Sequence, residues 1–280
     1  MQTLTTVDAV RALIRTWRQS EQTVAFVPTM GNLHDGHMRL VEIAHQQADR
    51  VVVSIFVNPA QFAPNEDFDS YPRTEKEDKD KLVGQGADLL FLPGVAEMYP
   101  QASQTKVSVP DLSALHCGVN RPGHFDGVAL VVCKLLNIVQ PDVLLLGEKD
   151  FQQLVVLRRM VLDLNLPVRV QGVATVREDS GLAMSSRNSY LSDEERTVAP
   201  LLFQCLCGAR EAVLAGEPEQ AMLQRQQQIL SDAGFVLDYF SLCRSADLLP
   251  PDADDTDLVV MAAARLGKTR LIDNIHFSRK

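Results

Sequence analysis

The sequence predicts an α/β protein: a parallel sheet with helices on both faces, followed by a smaller α+β unit. Three observations predict it. Four short apolar runs bounded by turn residues, TVAFVP (23–28), VVVSIFV (51–57), DLLFLP (88–93) and DVLLLGE (142–148), read as strands buried on both faces. Segments of helical length and pattern, at 36–47, 74–85, 125–139 and 150–164, separate or follow them. Past about residue 175 this alternation stops.

In chain order, Val7, Val10, Ile14 and Trp17 recur at helical spacing, so an amphipathic helix opens the chain. Strand then alternates with helix through right-handed crossovers, and ligands of such sheets bind beyond the carboxyl ends of the strands. In the last third, Ser192 with Glu195 forms a capping box for a helix to about Leu214, and a Gln-rich helix follows around 220–230. FVLDYFSL (235–242), DLVVMAAARLG (257–267) and TRLIDN (269–274) then suggest a small antiparallel sheet. The expected division is a first domain of residues 1–175 and a second of 176–280. The mixed-charge run EKEDKDK (75–81) reads as a solvated helix face and DADDTD (252–257) as a loop.

With 280 residues, 46% of them hydrophobic, the chain can bury a substantial core. Its formal net charge of -9 argues against nucleic acid or an anionic membrane as partner, because those are held by clustered Lys and Arg. Any anionic substrate must be met by local positive groups. The first twenty residues lack the apolar core of a secretory signal, and the longest apolar runs, such as 258–264, fall short of the roughly 18 residues that span a bilayer. Five cysteines without CxxC spacing suggest free thiols in a reducing compartment, the cytoplasm.

Four clusters can carry chemistry. VPTMGNLHDGHMRL (27–40) ends a strand and starts a helix, where loop amides and the helix dipole attract anions. His34 and His37, three positions apart, face the same side of that helix entrance, and Gly36 leaves room for a phosphate. The plainer reading makes them two surface histidines capping a helix. The second cluster, SIFVNPAQF with SYPRT, places Asn58 and Gln61 after a strand, neutral amides suited to a small polar substrate. The third, LLLGEKDFQQL, sets Lys149 at a helix start, against the usual dipole preference unless an anionic ligand is present, with Gln153 one turn on. The fourth, DSGLAMSSRNSYLS (179–192), offers Ser185, Ser186 and Arg187 to close over a triphosphate.

HDGH at such a position resembles the signature of the HIGH-type nucleotidyltransferases, which implies a Rossmann-like doubly wound sheet and attack on the α-phosphate of ATP. Together with RPGHF (121–125), QPDVLLLGEKDFQQL and RLIDN, the four clusters resemble the pantoate-beta-alanine ligase family over nearly the whole chain. The resemblance implies condensation of pantoate with beta-alanine to pantothenate through pantoyl adenylate, releasing AMP and pyrophosphate. It implies His37 as the main catalytic residue, with His34 and Lys149 stabilising phosphate charge. The implied ATP site runs from Met30 through Gly31, Asn32, Leu33, His34, Asp35 and Gly36 to His37. Gly147, Glu148, Lys149 and Asp150 continue it, and Val176 with Met184, Ser185, Ser186 and Arg187 completes it. Gln61 and Gln153 would hold pantoate, Gln61 also beta-alanine; Mg²⁺ would accompany the phosphates, with Glu77 and Asp78 matching the family's metal-side acids. A homodimer is implied as well, and the need to keep the adenylate from water predicts a lid formed by 185–187 and the second domain.

Two rival functions stay open on sequence grounds. A nucleotidyltransferase that stops after transferring a nucleotide would need a second cationic pocket for a phosphorylated acceptor. A silent nucleotide-binding module would not need both histidines, Lys149 and Arg187.

Overall fold

The computed structural model describes residues 1–64 and 66–279; Lys280, the end of the expected second domain, lies outside them. Six strands, β1 (Gln2–Leu4), β2 (Val24–Thr29), β3 (Arg50–Ile55), β4 (Leu89–Phe91), β5 (Val143–Gly147) and β6 (Arg169–Val173), form one sheet in the order β1-β4-β3-β2-β5-β6. Every neighbouring pair is parallel. The four apolar runs are its inner strands. The two edge strands escape a reading by apolar runs because β1, QTL, is mostly polar and exposed and β6, RVQGV, is half polar.

Period-two alternation sends successive strand side chains to opposite faces. Phe26, Val52, Leu89 and Leu144 join a core with α1 (Val7–Gln19) and α4 (His124–Val139), whereas Val27, Val53, Leu90 and Leu145 join one with α2 (Asp35–His45). Both faces are dry, so the strands can be unbroken apolar runs. The remaining helices of this unit are α3 (Glu75–Gly84) and α5 (Phe151–Asp163), besides single helical turns.

The strand order fixes the site. From β2 the chain goes to β3 on one side, while β5 lies on the other, its Val143 and Leu144 paired with Ala25 and Phe26. The carboxyl ends of β2 and β5 are therefore the place where winding reverses and a crevice opens. The loops that leave those two ends carry HDGH and GEKD.

The second sheet is antiparallel, β7 (Phe235–Arg244), β8 (Asp257–Leu266) and β9 (Thr269–Ser278), with a two-residue turn at Gly267 and Lys268. One face, with Val260, Ala262 and Ala264, packs under helices α6 (Asp193–Val198), α7 (Leu201–Leu214) and α8 (Glu219–Asp232). The alternate residues Val259 and Met261, with Cys243 of β7, pack on Leu112, Phe125, Phe151 and Val155 of the first unit. The stretch Asp193–Leu214 is long and apolar enough by composition to cross a membrane, more than the apolar runs of the sequence suggest. Its Leu202, Leu206 and Ala209 are buried in this second core. All five cysteines are free thiols, three of them buried.

The charged helix α3 corrects one expectation. Glu75, Lys76 and Glu77 are exposed, but Asp78 is 1% exposed.

Candidate active site

The loop after β2 is held from below. Gly31 (φ +87) and Asn32 (φ +50) turn it through left-handed conformations, and Thr29 Oγ1 accepts the Gly31 N–H at 3.2 Å while donating to Ser54 O at 2.8 Å. The two Asp78 oxygens then accept the N–H groups of Asn32 and Leu33 at 2.8 and 2.7 Å, and Lys81 Nζ donates to the Leu33 carbonyl. A buried carboxylate bonded to two amides is a loop anchor.

The helix that follows, α2, is capped by its own histidines. His34 Nδ1 accepts the Gly36 N–H at 3.2 Å, His37 Nδ1 accepts the His34 N–H at 3.3 Å, and the ring centroids lie 4.1 Å apart. The capping reading and the functional one thus describe the same two side chains. An imidazole whose Nδ1 accepts carries its single proton on Nε2, so both rings are N–H donors on their other edge. Burial first and the Lys149 charge next lower His34 to about 4; burial, then the neighbouring His34, lower His37 to about 3. Gly36 is required by the fold-back of the cap, since a Cβ there would come within 2.9 Å of the His34 ring.

The loop after β5 faces this pair. Gly147 leads into a single turn, Glu148–Asp150, and Lys149 is 18% exposed with Asp150 at 3.8 Å. From β9, Asn274 Nδ2 donates to the carbonyls of Glu148 and Lys149 at 2.8 and 3.0 Å. The second sheet therefore holds the strand-end loop that bears the lysine. The serine loop is latched to the histidine loop: Ser186 Oγ donates to Asn32 O at 3.0 Å, and Asn32 Nδ2 donates to Ser186 O at 3.4 Å; Met184 N–H ties the same loop to Val176 O at 3.0 Å. Arg187 does not stand free; its fork is bidentate on Asp67 at 3.0 and 2.9 Å.

These elements enclose a cavity of about 230 Å³. Of the residues expected at the site, Met30, His34, Gly36 and His37 line it, as do Gln61, Gly147, Lys149, Asp150 and Gln153. Val176 and the segment Met184, Ser185, Ser186 and Arg187 complete its wall. Gly31, Asn32, Leu33, Asp35, Glu148 and Asp78 do not: Leu33 is buried in the core, Asp35 is exposed, and the rest supply backbone or anchoring. A larger cavity of about 510 Å³ adjoins it, sharing Lys149, Asp150, Ser185 and Arg187 and reaching the β8–β9 turn with Arg265 and Lys268. The imidazoles open only on the smaller one.

Among the described residues, no three His, Cys, Asp or Glu side chains come together as a metal-ligating set. Asp78 is spoken for by the loop amides, and Asp67 by Arg187. Reading by motif misses Asn274 and Asp67 as site residues; the acidic run at 66–69 is the one local signal for a counter-ion to Arg187.

The profile of the family described as Pantoate-beta-alanine ligase matches residues 2–276. A pantothenate synthetase of Methylococcus capsulatus is 54% identical over 99% of this chain and 98% of its own length. One of Alcanivorax borkumensis is 55% identical over 98% and 97%. Among solved structures, a pantothenate synthetase of Thermus thermophilus superposes with a TM-score of 0.93 at 46% identity, covering 98% of this chain and 99% of that one. A pantoate-beta-alanine ligase of Francisella tularensis, complexed with beta-gamma ATP and beta-alanine, superposes at 0.83 with 30% identity, covering 99% and 97%.

Proposed function

The chain belongs to the pantoate-beta-alanine ligase family, and from that membership we propose how its residues carry out the family's reaction. The enzyme joins pantoate to beta-alanine with ATP. In the first half, a pantoate carboxylate oxygen attacks the α-phosphorus, the bond to the bridging oxygen of the β-phosphate breaks, and pyrophosphate leaves. In the second, the beta-alanine nitrogen attacks the acyl carbon, loses its proton, and expels AMP.

One observation carries this reading: two neutral imidazoles, each with its N–H on the free edge, meet Lys149 at a helix N-terminus in the same cavity as Gln61 and Gln153. Donors fixed before the substrate arrives stabilise charge that grows on the phosphates without reorganising. His37 and His34 donate to the α-phosphate and the departing pyrophosphate, and Lys149 adds the full positive charge. Gln61 and Gln153 bind pantoate through neutral amides, and Gln61 also meets beta-alanine. Such an acceptor site disfavours the rival nucleotidyltransferase, whose phosphorylated acceptor would need cations there.

Mg²⁺ enters as part of the substrate, Mg·ATP, held by phosphates and water, a mode in keeping with a small ion that keeps its waters. Asp78 is assigned to the loop and not to the metal. Arg187 exchanges Asp67 for the triphosphate when the serine loop and the unit 176–280 close as a lid, which keeps the adenylate from water. We further assign the enzyme to the cytoplasm, as a homodimer working on small molecules and on neither nucleic acid nor membrane; its unpaired thiols suit a reducing compartment.

The test is AMP release with ATP, Mg²⁺, pantoate and beta-alanine, each omitted in turn, beside pyrophosphate exchange into ATP. Exchange that needs pantoate but not beta-alanine is the expected result. Exchange supported only by a phosphorylated acceptor would overturn the assignment.

A further inference from the structure

The segment RPGHF (121–125) takes no part in the steps above, yet it stands directly behind Gln61. The first turn of α4 brings His124 Nδ1 to 2.8 Å from the Gln61 carbonyl oxygen and His124 Nε2 to 3.0 Å from Arg121 Nη1. A guanidinium only donates, so Nε2 accepts and the ring's proton resides on Nδ1, given to Gln61. Arg121 is itself fixed by the two Glu66 oxygens at 2.5 and 2.6 Å. The chain of donors therefore runs one way, from Arg121 through His124 to the main chain of Gln61, with Arg121 Nη2 also donating directly to the same Gln61 oxygen over a longer 3.5 Å.

The side chain of Gln61 is oriented separately. Its Oε1 accepts from Asn58 Nδ2 at 3.1 Å, and Asn58 Oδ1 accepts from the Tyr99 hydroxyl at 2.8 Å. With the oxygen engaged, the amide nitrogen is the end turned to the cavity; it donates to Met30 Sδ, another residue of the cavity wall, at 3.0 Å and keeps its second N–H. Close seating of α4 makes the contact possible, since a Cβ at Gly127 would come 2.1 Å from the Ala60 carbonyl oxygen.

We propose that His124, aligned by Arg121, is a positioning residue for pantoate: it holds the Gln61 backbone in place, while Asn58 turns the Gln61 side chain so that its amide presents an N–H donor, not a carbonyl, to a pantoate oxygen. This rests on the assignment of Gln61 to pantoate. It does not require His124 to touch substrate or to change protonation: burial, then the Arg121 charge, lower its pKa to about 4.

The experiment measures initial rates of AMP formation with pantoate and ATP varied in turn, together with thermal unfolding, for Gln61→Ala, His124→Leu and His124→Asn. Gln61→Ala and His124→Leu should each raise KM for pantoate about tenfold and leave KM for ATP within about twofold. His124→Asn, whose amide N–H can occupy the place of the ring Nδ1–H, should recover most of the loss. The positioning role is overturned if Gln61→Ala weakens pantoate while His124→Leu does not, or if His124→Asn is no better than His124→Leu. Equal loss of ATP and pantoate with a lower melting temperature would reduce His124 to packing, also overturning it. Gln61→Ala with unchanged pantoate KM would instead sink the assignment of Gln61, and the proposal with it.

Discussion

Two helices of this molecule begin with the same reciprocal cap built from different chemistry. At α6, Ser192 accepts the Glu195 N–H at 3.1 Å and Glu195 returns a carboxylate oxygen to the Ser192 N–H at 2.9 Å. At α2, imidazole nitrogens make the two bonds: His37 accepts the His34 N–H, and His34 accepts the Gly36 N–H, one position before the amide that Ser192 takes. Both arrangements satisfy orphan amides. The Glu195 box also puts a negative charge on the positive end of the dipole, which stabilises the helix and repels any other anion. The histidine box places no charge there and keeps an N–H on each ring for something outside. The α2 terminus is capped and still turns two N–H donors toward the cavity.

Converting the second box toward the first is the strongest test. His37→Glu should preserve the reciprocal cap but set a carboxylate where the proposed mechanism develops phosphate charge. Loss of one preorganised donor costs about 10²–10³ in rate, and the added negative charge increases that, so pantoate-dependent pyrophosphate exchange should fall by more than about 10³. The melting temperature should stay within about 4 °C, the shift expected of roughly 1 kcal/mol in a chain of this size. Exchange that survives within about tenfold would show that the imidazole is a cap alone.

A smaller loss should follow at the anchor beneath the α2 loop. Asp78→Asn keeps the shape but turns an N–H₂ group toward one of two backbone N–H donors, leaving a buried clash of donors at Asn32 or Leu33. A stability loss of about 1–3 kcal/mol follows from one unsatisfied buried group, with a rise in KM for ATP. If Asp78 anchors the loop, the Mg²⁺ concentration for half-maximal rate stays unchanged. A shifted Mg²⁺ requirement with unaltered stability would return Asp78 to the metal.

How much of this is legible from the chain follows from distance along it. His34, His37 and Lys149 each sit just past a buried strand whose apolar run marks where it ends, so motif and place can be read together. Gln61 and Gln153 are readable for the same reason. Asn274 grips Glu148 and Lys149 across more than a hundred residues, and Arg187 meets Asp67 across a similar gap. No local pattern encodes either contact. Asp78 reads as solvated because its neighbours 75–77 are; only the docking of α3 against the Gly31 turn buries it.

The two caps should also part company in acid. The imidazoles of α2 have folded pKa values of about 4 and about 3, below the 6.5 of a free histidine. Their lowered values mean that the unfolded chain binds protons first as pH drops below 6.5. Stability is therefore complete above that pH and declines as it falls toward 4. Each ring is partly open to the cleft, so the loss by pH 5 is on the order of 1–2 kcal/mol per ring. Urea unfolding between pH 7 and pH 5 measures it, and a His34→Asn, His37→Gln double variant should show a shallower decline. For the same reason kcat/KM for ATP should show no ionisation of His34 or His37 between pH 6 and 9. An inflexion near 6.5 in that profile would contradict neutral donors.

The smallest effect belongs to α6, and its smallness is what makes the comparison sharp. Ser192→Ala removes the hydroxyl that accepts the Glu195 N–H but leaves a cap lying on the exposed side of the second unit. Loss of such a cap costs about 0.5–2 kcal/mol, at the low end here because water can reach the freed amide. Exchange rate and both substrate KM values should be unchanged. Stability measured by urea unfolding should drop while activity does not, the reverse of His37→Glu. If Ser192→Ala reduced adenylation as well, α6 would have to be coupled to the serine loop that leads into it, and the two caps would no longer differ in kind.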